Sequence, residues 1–226
     1  MKNLLYKEWK LNVHAMNILF AVGFGFMMVI PSYPHFLAFV YLAFSYAFLF
    51  MGGNKGVDNN DIYYTSILPI RRGDVVKART MTIMSLQLLN ILATIPFAIL
   101  YPFVMNAVAS SGATGLEDVG LEPNIALYAM ALLSYTILDL IFLPWFYKTT
   151  SRIVLPYMVS GFVCMIFFMT VSMFLPLALP GYYALFGGWN NLPAQFILLA
   201  VSVIIYFVGH YFIVKISQKN FLKVDI

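Results

Sequence analysis

Charge is scarce in this sequence. Lysine, arginine, aspartate and glutamate together make up 10% of its 226 residues, where a soluble domain carries about 25%. With 62% hydrophobic residues and a mean hydropathy of +0.86, the chain has too little polar surface to cover a globule in water, and membrane embedding is the first expectation. Cysteine is nearly absent. Cys164 is the single thiol and lies in an apolar run, which excludes an internal disulfide and a cysteine-built zinc site and leaves it as a small hydrophobe. The common catalytic and nucleotide-binding motifs are missing as well: no G-x-x-x-x-G-K-[ST] loop, no H-E-x-x-H and no G-x-S-x-G occur. His14, His35 and His210 fall in three separate parts of the chain, so no shared metal site is expected. An intramembrane acid/base pair of carboxylates is also lacking.

What the sequence has in quantity is long apolar runs. They occur at about 15–31, 36–53, 80–106, 125–147, 153–179 and 193–214, each near the roughly 20 residues that a helix needs to cross a bilayer. The first two are the shortest. They are joined by Pro31-Ser32-Tyr33-Pro34-His35, a proline-punctuated turn that predicts an antiparallel hairpin.

All 13 basic residues fall into four groups. Lys2, Lys7 and Lys10 precede the first run; Lys55, Arg71, Arg72, Lys77 and Arg79 lie between the second and third. Lys148 and Arg152 separate the fourth from the fifth, and Lys215, Lys219 and Lys223 follow the last. The alternate connections, 31–36, 107–124 and 180–192, contain no basic residue, and the middle one is acidic (Glu117, Asp118, Glu122). In a six-span chain every positive charge thus lies on one side, and an odd number of spans would break the segregation. By the positive-inside rule both termini are expected in the cytoplasm. The net charge of +4 therefore reads as topology and not as a nucleic-acid surface.

No A-x-A-like cleavage site closes the first run, so it is read as a retained span. Before it, Leu5, Trp9 and Val13 recur every four residues among three lysines. That spacing predicts either an amphipathic helix at the interface or the start of the first span. Prolines recur in or beside the runs (Pro96, Pro102, Pro144, Pro156, Pro176, Pro180, Pro193) and predict bent helices. The stretch 175–192 is too apolar for an ordinary loop, and reads as a re-entrant hairpin or an aromatic-belt connection.

Two places invite a functional reading. Asp139 is the only carboxylate inside an apolar run. At insertion costs of roughly 2.5–3.5 kcal/mol it should face protein or water, either as a pathway or locking residue or as a hydrogen-bond partner of a neighbouring helix. Solvation from the cytoplasmic side is the third option. The other place is the connection 54–79. Asn60 or Asp61 can cap a helix that Pro69 halts, and Tyr63 with Ile67, like Tyr64 with Leu68, pair at i, i+4. A two-turn helix there would present an apolar face with no domain to cover it, which implies a partner. Arg71 and Arg72 follow and suit lipid phosphate; Gly73-Asp74 looks like a second N-cap.

The stretch from Tyr64-Thr65-Ser66-Ile67-Leu68-Pro69 through Ile70-Arg71-Arg72-Gly73-Asp74-Val75-Val76-Lys77-Ala78-Arg79 resembles the segment between the second and third spans of type 2 ABC transporter permeases. It looks closest to small bacterial exporters of peptide toxins, such as that for phenol-soluble modulins. Leu4-Leu5-Tyr6-Lys7-Glu8-Trp9-Lys10 is similar to that family's basic interfacial start. The resemblance implies an all-α membrane protein of the bacterial cell membrane, with six transmembrane helices, cytoplasmic ends, an interfacial N-terminal helix and a cytoplasmic coupling helix at about 60–70. It further implies a dimer with a second permease copy, identical or paralogous, and a separate ATP-binding cassette ATPase subunit that binds ATP and magnesium. This chain would then carry no cofactor. Asp61, Tyr63, Tyr64, Ile67, Leu68, Arg71 and Arg72 would form the ATPase-coupling surface; the intramembrane polar site at Asp139 rests on its place in an apolar run and not on the resemblance. The cargo is not marked by any motif. The many Phe, Tyr and Met residues would suit a cavity for amphipathic peptides and equally a lipid-facing surface. Two other readings stay open: a non-transporting immunity or regulatory membrane protein, and an intramembrane hydrolase using Asp139 or a histidine.

Overall fold

The computed structural model describes residues 2–51, 70–111, 120–149, 153–189 and 191–224. Those residues form helices and turns, with no strand among them. Helix α1 (Lys2–Asn12) is followed by α2 (Ala15–Val22), which tightens into a 3-10 stretch, Gly23–Met28. Short α3 (Leu37–Val40) and α4 (Leu42–Met51) come next. Then follow α5 (Arg72–Ser110), α6 (Ile125–Thr149) and α7 (Val154–Met169), the last continuing through a π-helical turn (Thr170–Phe174) into α8 (Leu175–Ala178). The chain ends with α9 (Pro180–Phe186) and α10 (Leu192–Phe221).

Four helical stretches among the described residues are long and apolar enough to cross a membrane: Arg72–Ser110, Ile125–Thr149, Val154–Ala178 and Leu192–Phe221. A fifth is counted if Lys2–Asn12 and Ala15–Met28, bent by 89°, are taken together. The apolar stretch Leu37–Phe50 is shorter than these, as far as it is described. Among the described residues the six expected runs thus give four or five candidate spans: the first run is bent, and the second is described only as far as residue 51.

Side-chain pairs give the helix directions. Asn17 reaches Ser45 and Phe24 stacks on Tyr41, so α2 and α4 are antiparallel. Tyr46 meets Asp139 and Phe50 meets Phe146, so α4 and α6 run together. Gly73 meets Gln218 and Gln87 meets Tyr206, which makes α5 antiparallel to α10. Cys164 meets Ser134 and Tyr157 meets Phe142, setting α7 against α6. Helices α2, α5 and α7 therefore point one way and α4, α6 and α10 the other. The basic residues of α1, of the start of α5 and of the ends of α6 and α10 gather at one end of the bundle.

Helix α6 is the axis. Two-thirds of its most apolar window is buried (67%), against 22% for each of the other three. Its longest packing partner is α10, and Gly209 permits the approach: a Cβ there would stand 2.6 Å from Thr136 Cγ2.

Carbonyls at three of the backbone breaks find donors elsewhere in the protein, as a low-dielectric surrounding favours. Asn90 on α5 donates to the carbonyls of Ala21 (2.8 Å) and Ala38 (3.3 Å), at the two interruptions of the first hairpin. The π turn has a similar account. Pro176 has no N–H to offer the carbonyl of Ser172, four residues back, and that oxygen instead accepts the Leu121 N–H at 2.7 Å. Gly120 makes this possible: its φ is +100°, and a Cβ would lie 2.3 Å from the Ser172 oxygen. Residues 175–188 are thus two short helices followed by a turn at Gly187 and Gly188.

Helix α1 docks differently from its expected amphipathic face. Leu4 and Glu8 are the buried positions, while Leu5, Trp9 and Val13 are only half-buried. The face is turned by one residue because an ion pair sets it. Glu8 Oε2 accepts from Arg79 Nε on α5 at 2.7 Å and from Asn12 Nδ2 at 2.9 Å. Neither Glu8 nor Arg79 is exposed beyond 3%.

Candidate functional site

The residues expected to form the coupling surface divide in two. Asp61, Tyr63, Tyr64, Ile67 and Leu68 lie outside the described residues. Arg71 and Arg72 are described, at the start of α5. Arg71 itself is the N-cap, with extended backbone and no side-chain cap bond, so the expected cap at Gly73-Asp74 is displaced. Asp74 falls in the first turn instead, where its carboxylate complements the helix dipole. Arg71 is exposed; Arg72 is half-buried and donates to the carbonyl of Val224 at 3.1 Å. Gln218 donates to the Gly73 carbonyl at 2.7 Å. The first turn of α5 is therefore tied to the end of α10, and two turns further in Arg79 ties it to α1.

Asp139 lies elsewhere. Gly73 and Gln87 are about 21 Å apart along α5 at 1.5 Å per residue, and Asp139 sits at the level of Gln87. Its carboxylate is fully buried, which removes solvation from the cytoplasmic side as an explanation. Three other helices supply its partners. Tyr46 Oη of α4 donates to Oδ1 at 2.7 Å, and Gln87 Nε2 of α5 donates to Oδ2 at 2.8 Å. His210 Nε2 of α10 lies 2.9 Å from Oδ2. Gln87 Nε2 also donates to Tyr46 Oη (2.7 Å), and its Oε1 accepts from Tyr206 Oη (2.6 Å). These bonds offset the insertion cost of a carboxylate on the most buried helix. One turn away a second polar pair continues the seam: Tyr135 Oη donates to Asn90 Oδ1 at 2.6 Å.

Sequence reasoning singled out Asp139 and missed its partners. His210 looked like a residue near the end of the last span, yet it is 2% exposed and faces the carboxylate. A usable signal was present in α5, where Gln87 and Asn90 stand at i, i+3 inside an apolar run and so share a face. The Glu8–Arg79 pair left no such signal, since both residues read as ordinary interfacial charges.

No group of three or more His, Cys, Asp or Glu among the described residues could hold a metal ion. A separate apolar groove of about 190 Å³ opens on the side of the bundle between α4 and α7, lined by Phe44, Tyr157, Phe162 and Met165 among others. Comparison of the chain with protein-family models, curated proteins and solved structures finds no match.

Proposed function

We propose that the chain is the membrane-spanning permease subunit of an ATP-driven ABC exporter, with six spans and both termini in the cytoplasm. ATP is hydrolysed by a separate ATPase subunit, and a second permease copy completes the membrane unit. The cargo class is hydrophobic or amphipathic peptides or antimicrobial compounds. The observation that carries this reading is the segment Tyr64–Arg79, whose pattern resembles the coupling element of such permeases.

The surroundings of that segment support it mechanically. Residues 71–79 open a 39-residue helix whose first turns are braced against α10 through Arg72 and Gln218 and against α1 through Arg79. A force delivered at residues 60–70 would enter a rigid lever, not a loose loop. The alternating helix directions also suit six spans, the broken first hairpin counting as two.

The test is affinity capture of the tagged chain from its native host in mild detergent, followed by mass spectrometry. A stoichiometric ATP-binding cassette protein is expected with the wild type and is expected to be lost with Tyr64→Glu/Leu68→Glu. Its absence from an intact, membrane-inserted wild-type chain would defeat the proposal and favour an immunity or regulatory role.

A further inference from the structure

Two arginines at the basic end of the bundle face a cavity without an acidic partner. Arg71 and Arg72 line a space of about 500 Å³ together with Gly73, Asp74, Gln218 and Leu222. Arg72 gives one donor to the Val224 carbonyl at 3.1 Å. Arg71 is exposed and makes no hydrogen bond or ion pair among the described residues. A guanidinium carries five N–H donors, so most of this capacity is open to a ligand. Asp74 is the one acid in the lining, and it is ion-paired with neither arginine. Two positive charges thus stand against one negative, and exposed Lys219 and Lys223 flank the wall that α10 provides. The space is within the roughly 300–1,000 Å³ of ordinary ligand sites.

The height of the cavity on the bundle decides what meets it. Gly73 lies against Gln218 and Gln87 against Tyr206, so Lys77 of α5 and Lys215 of α10 stand at one level. Both lysines are exposed, and inward of them the only charged residue or histidine on either helix is buried Arg79 or buried His210. The surface below is apolar, with Met81, Leu88, Val208 and Phe212 exposed. Lys77 and Lys215 therefore mark the hydrocarbon boundary, their stems running outward along apolar surface. Arg71 and Arg72 lie further out by roughly 8 Å at 1.5 Å per residue. The headgroup layer is roughly 5–8 Å deep on each side of the hydrocarbon core. The cavity accordingly opens among lipid phosphates, and exposed Leu222 gives it an apolar wall.

We infer that this cavity binds the headgroup phosphate of an anionic phospholipid, held by Arg71 and Arg72 between the start of α5 and the end of α10. An arginine fork matches two phosphate oxygens at once, and basic residues beside a span attract anionic lipid. The lipid adds a third tie to the two bonds already joining these elements, Arg72 to Val224 and Gln218 to Gly73. The inference does not rest on the permease reading, in which the same arginines would face an ATPase.

The test is native mass spectrometry of the full chain released from detergent micelles doped with phosphatidylglycerol or with phosphatidylcholine. The wild type is expected to retain phosphatidylglycerol in preference to phosphatidylcholine. Arg71→Gln/Arg72→Gln is expected to bind it at least about tenfold more weakly. Lys2→Gln/Lys10→Gln removes two exposed charges of α1, outside the cavity, and is expected to keep the wild-type affinity. Equal losses in the two variants would overturn the site and leave only diffuse attraction. A wild type without preference for phosphatidylglycerol overturns it as well, and leaves the arginines to an acidic protein surface. Inorganic phosphate, added against chloride of equal ionic strength, is expected not to displace the lipid; full displacement would make this a free-anion site and defeat the inference. If the arginine variant does not fold, Asp74→Asn decides. It removes the one negative charge of the cavity and is expected to bind phosphatidylglycerol several-fold more tightly, and an unchanged or weaker affinity overturns the inference.

Discussion

Removing the carboxylate of Glu8 should release the N-terminal helix from the bundle. Glu8 is fully buried and Arg79 nearly so, with Nε and Oε2 at 2.7 Å. Deleting one member of a buried pair costs about 3–5 kcal/mol, because the other charge is left uncompensated. Here Arg79 keeps a cation–π contact with Phe50, at 5.3 Å to the ring centroid, worth about 1–2 kcal/mol in a desolvated place. Glu8→Ala is therefore expected near the lower end, about 3 kcal/mol. Replacing both charges, as in Glu8→Leu/Arg79→Met, should recover most of that loss, since an apolar pair of similar volume is often neutral or better. Trp9 is half-buried against the core and reports docking of α1. Its fluorescence can be followed through SDS titration in mixed micelles once Trp145 and Trp189 are replaced by Phe. A loss under about 1 kcal/mol for Glu8→Ala, or simple additivity in the cycle, would refute the reasoning and mean that the pair is solvated.

Three further substitutions probe the packing by the same titration. Asn90→Leu keeps the γ-branched shape but takes the amide donor from the carbonyls of Ala21 and Ala38 and the Oδ1 acceptor from the Tyr135 hydroxyl. About 3 kcal/mol of lost stability is expected, and a neutral result would mean that the breaks in α2 and α3 find other donors. Gly209→Ala sets a methyl 2.6 Å from Thr136 Cγ2, and Thr136 cannot turn away without giving up its bond to the Leu132 carbonyl. The expected cost is about 1–3 kcal/mol, and Thr136→Ser, which keeps the hydroxyl and removes the methyl, should restore it; failure of that rescue counts against the contact. Gly120→Ala meets both an unfavourable φ and the Ser172 oxygen, with a loss of at least about 1 kcal/mol expected. Wild-type stability would show that the Leu121–Ser172 bond is not needed.

Hydropathy and charge order are properties of the chain read residue by residue, and they carried the coarse fold. The apolar runs foretold the long helices α5, α6, α7 and α10, and the prolines foretold irregular backbone near 175–192. The opening pair of spans was less legible. Its interruptions at Gly23–Met28 and after Val40 depend on Asn90, some fifty residues or more away in sequence, to supply the missing donors.

The candidate site was half legible for the same reason. A carboxylate in an apolar run is conspicuous, so Asp139 stood out alone. That it is bonded by Tyr46, Gln87 and His210 depends on which helices pack around α6 and at what height. Side-chain partnerships between helices are decided by distances that no local pattern encodes. Glu8 and Arg79 make the contrast sharpest. In sequence they are two charges beside the membrane, and only the folding of α1 back over α5 brings them within hydrogen-bond reach, where burial makes each necessary to the other. Composition and hydropathy alone were enough to make this chain helical and apolar. Which of its polar groups meet followed from the packing of helices distant in sequence, because burial favours a polar group that finds a partner on a neighbouring helix.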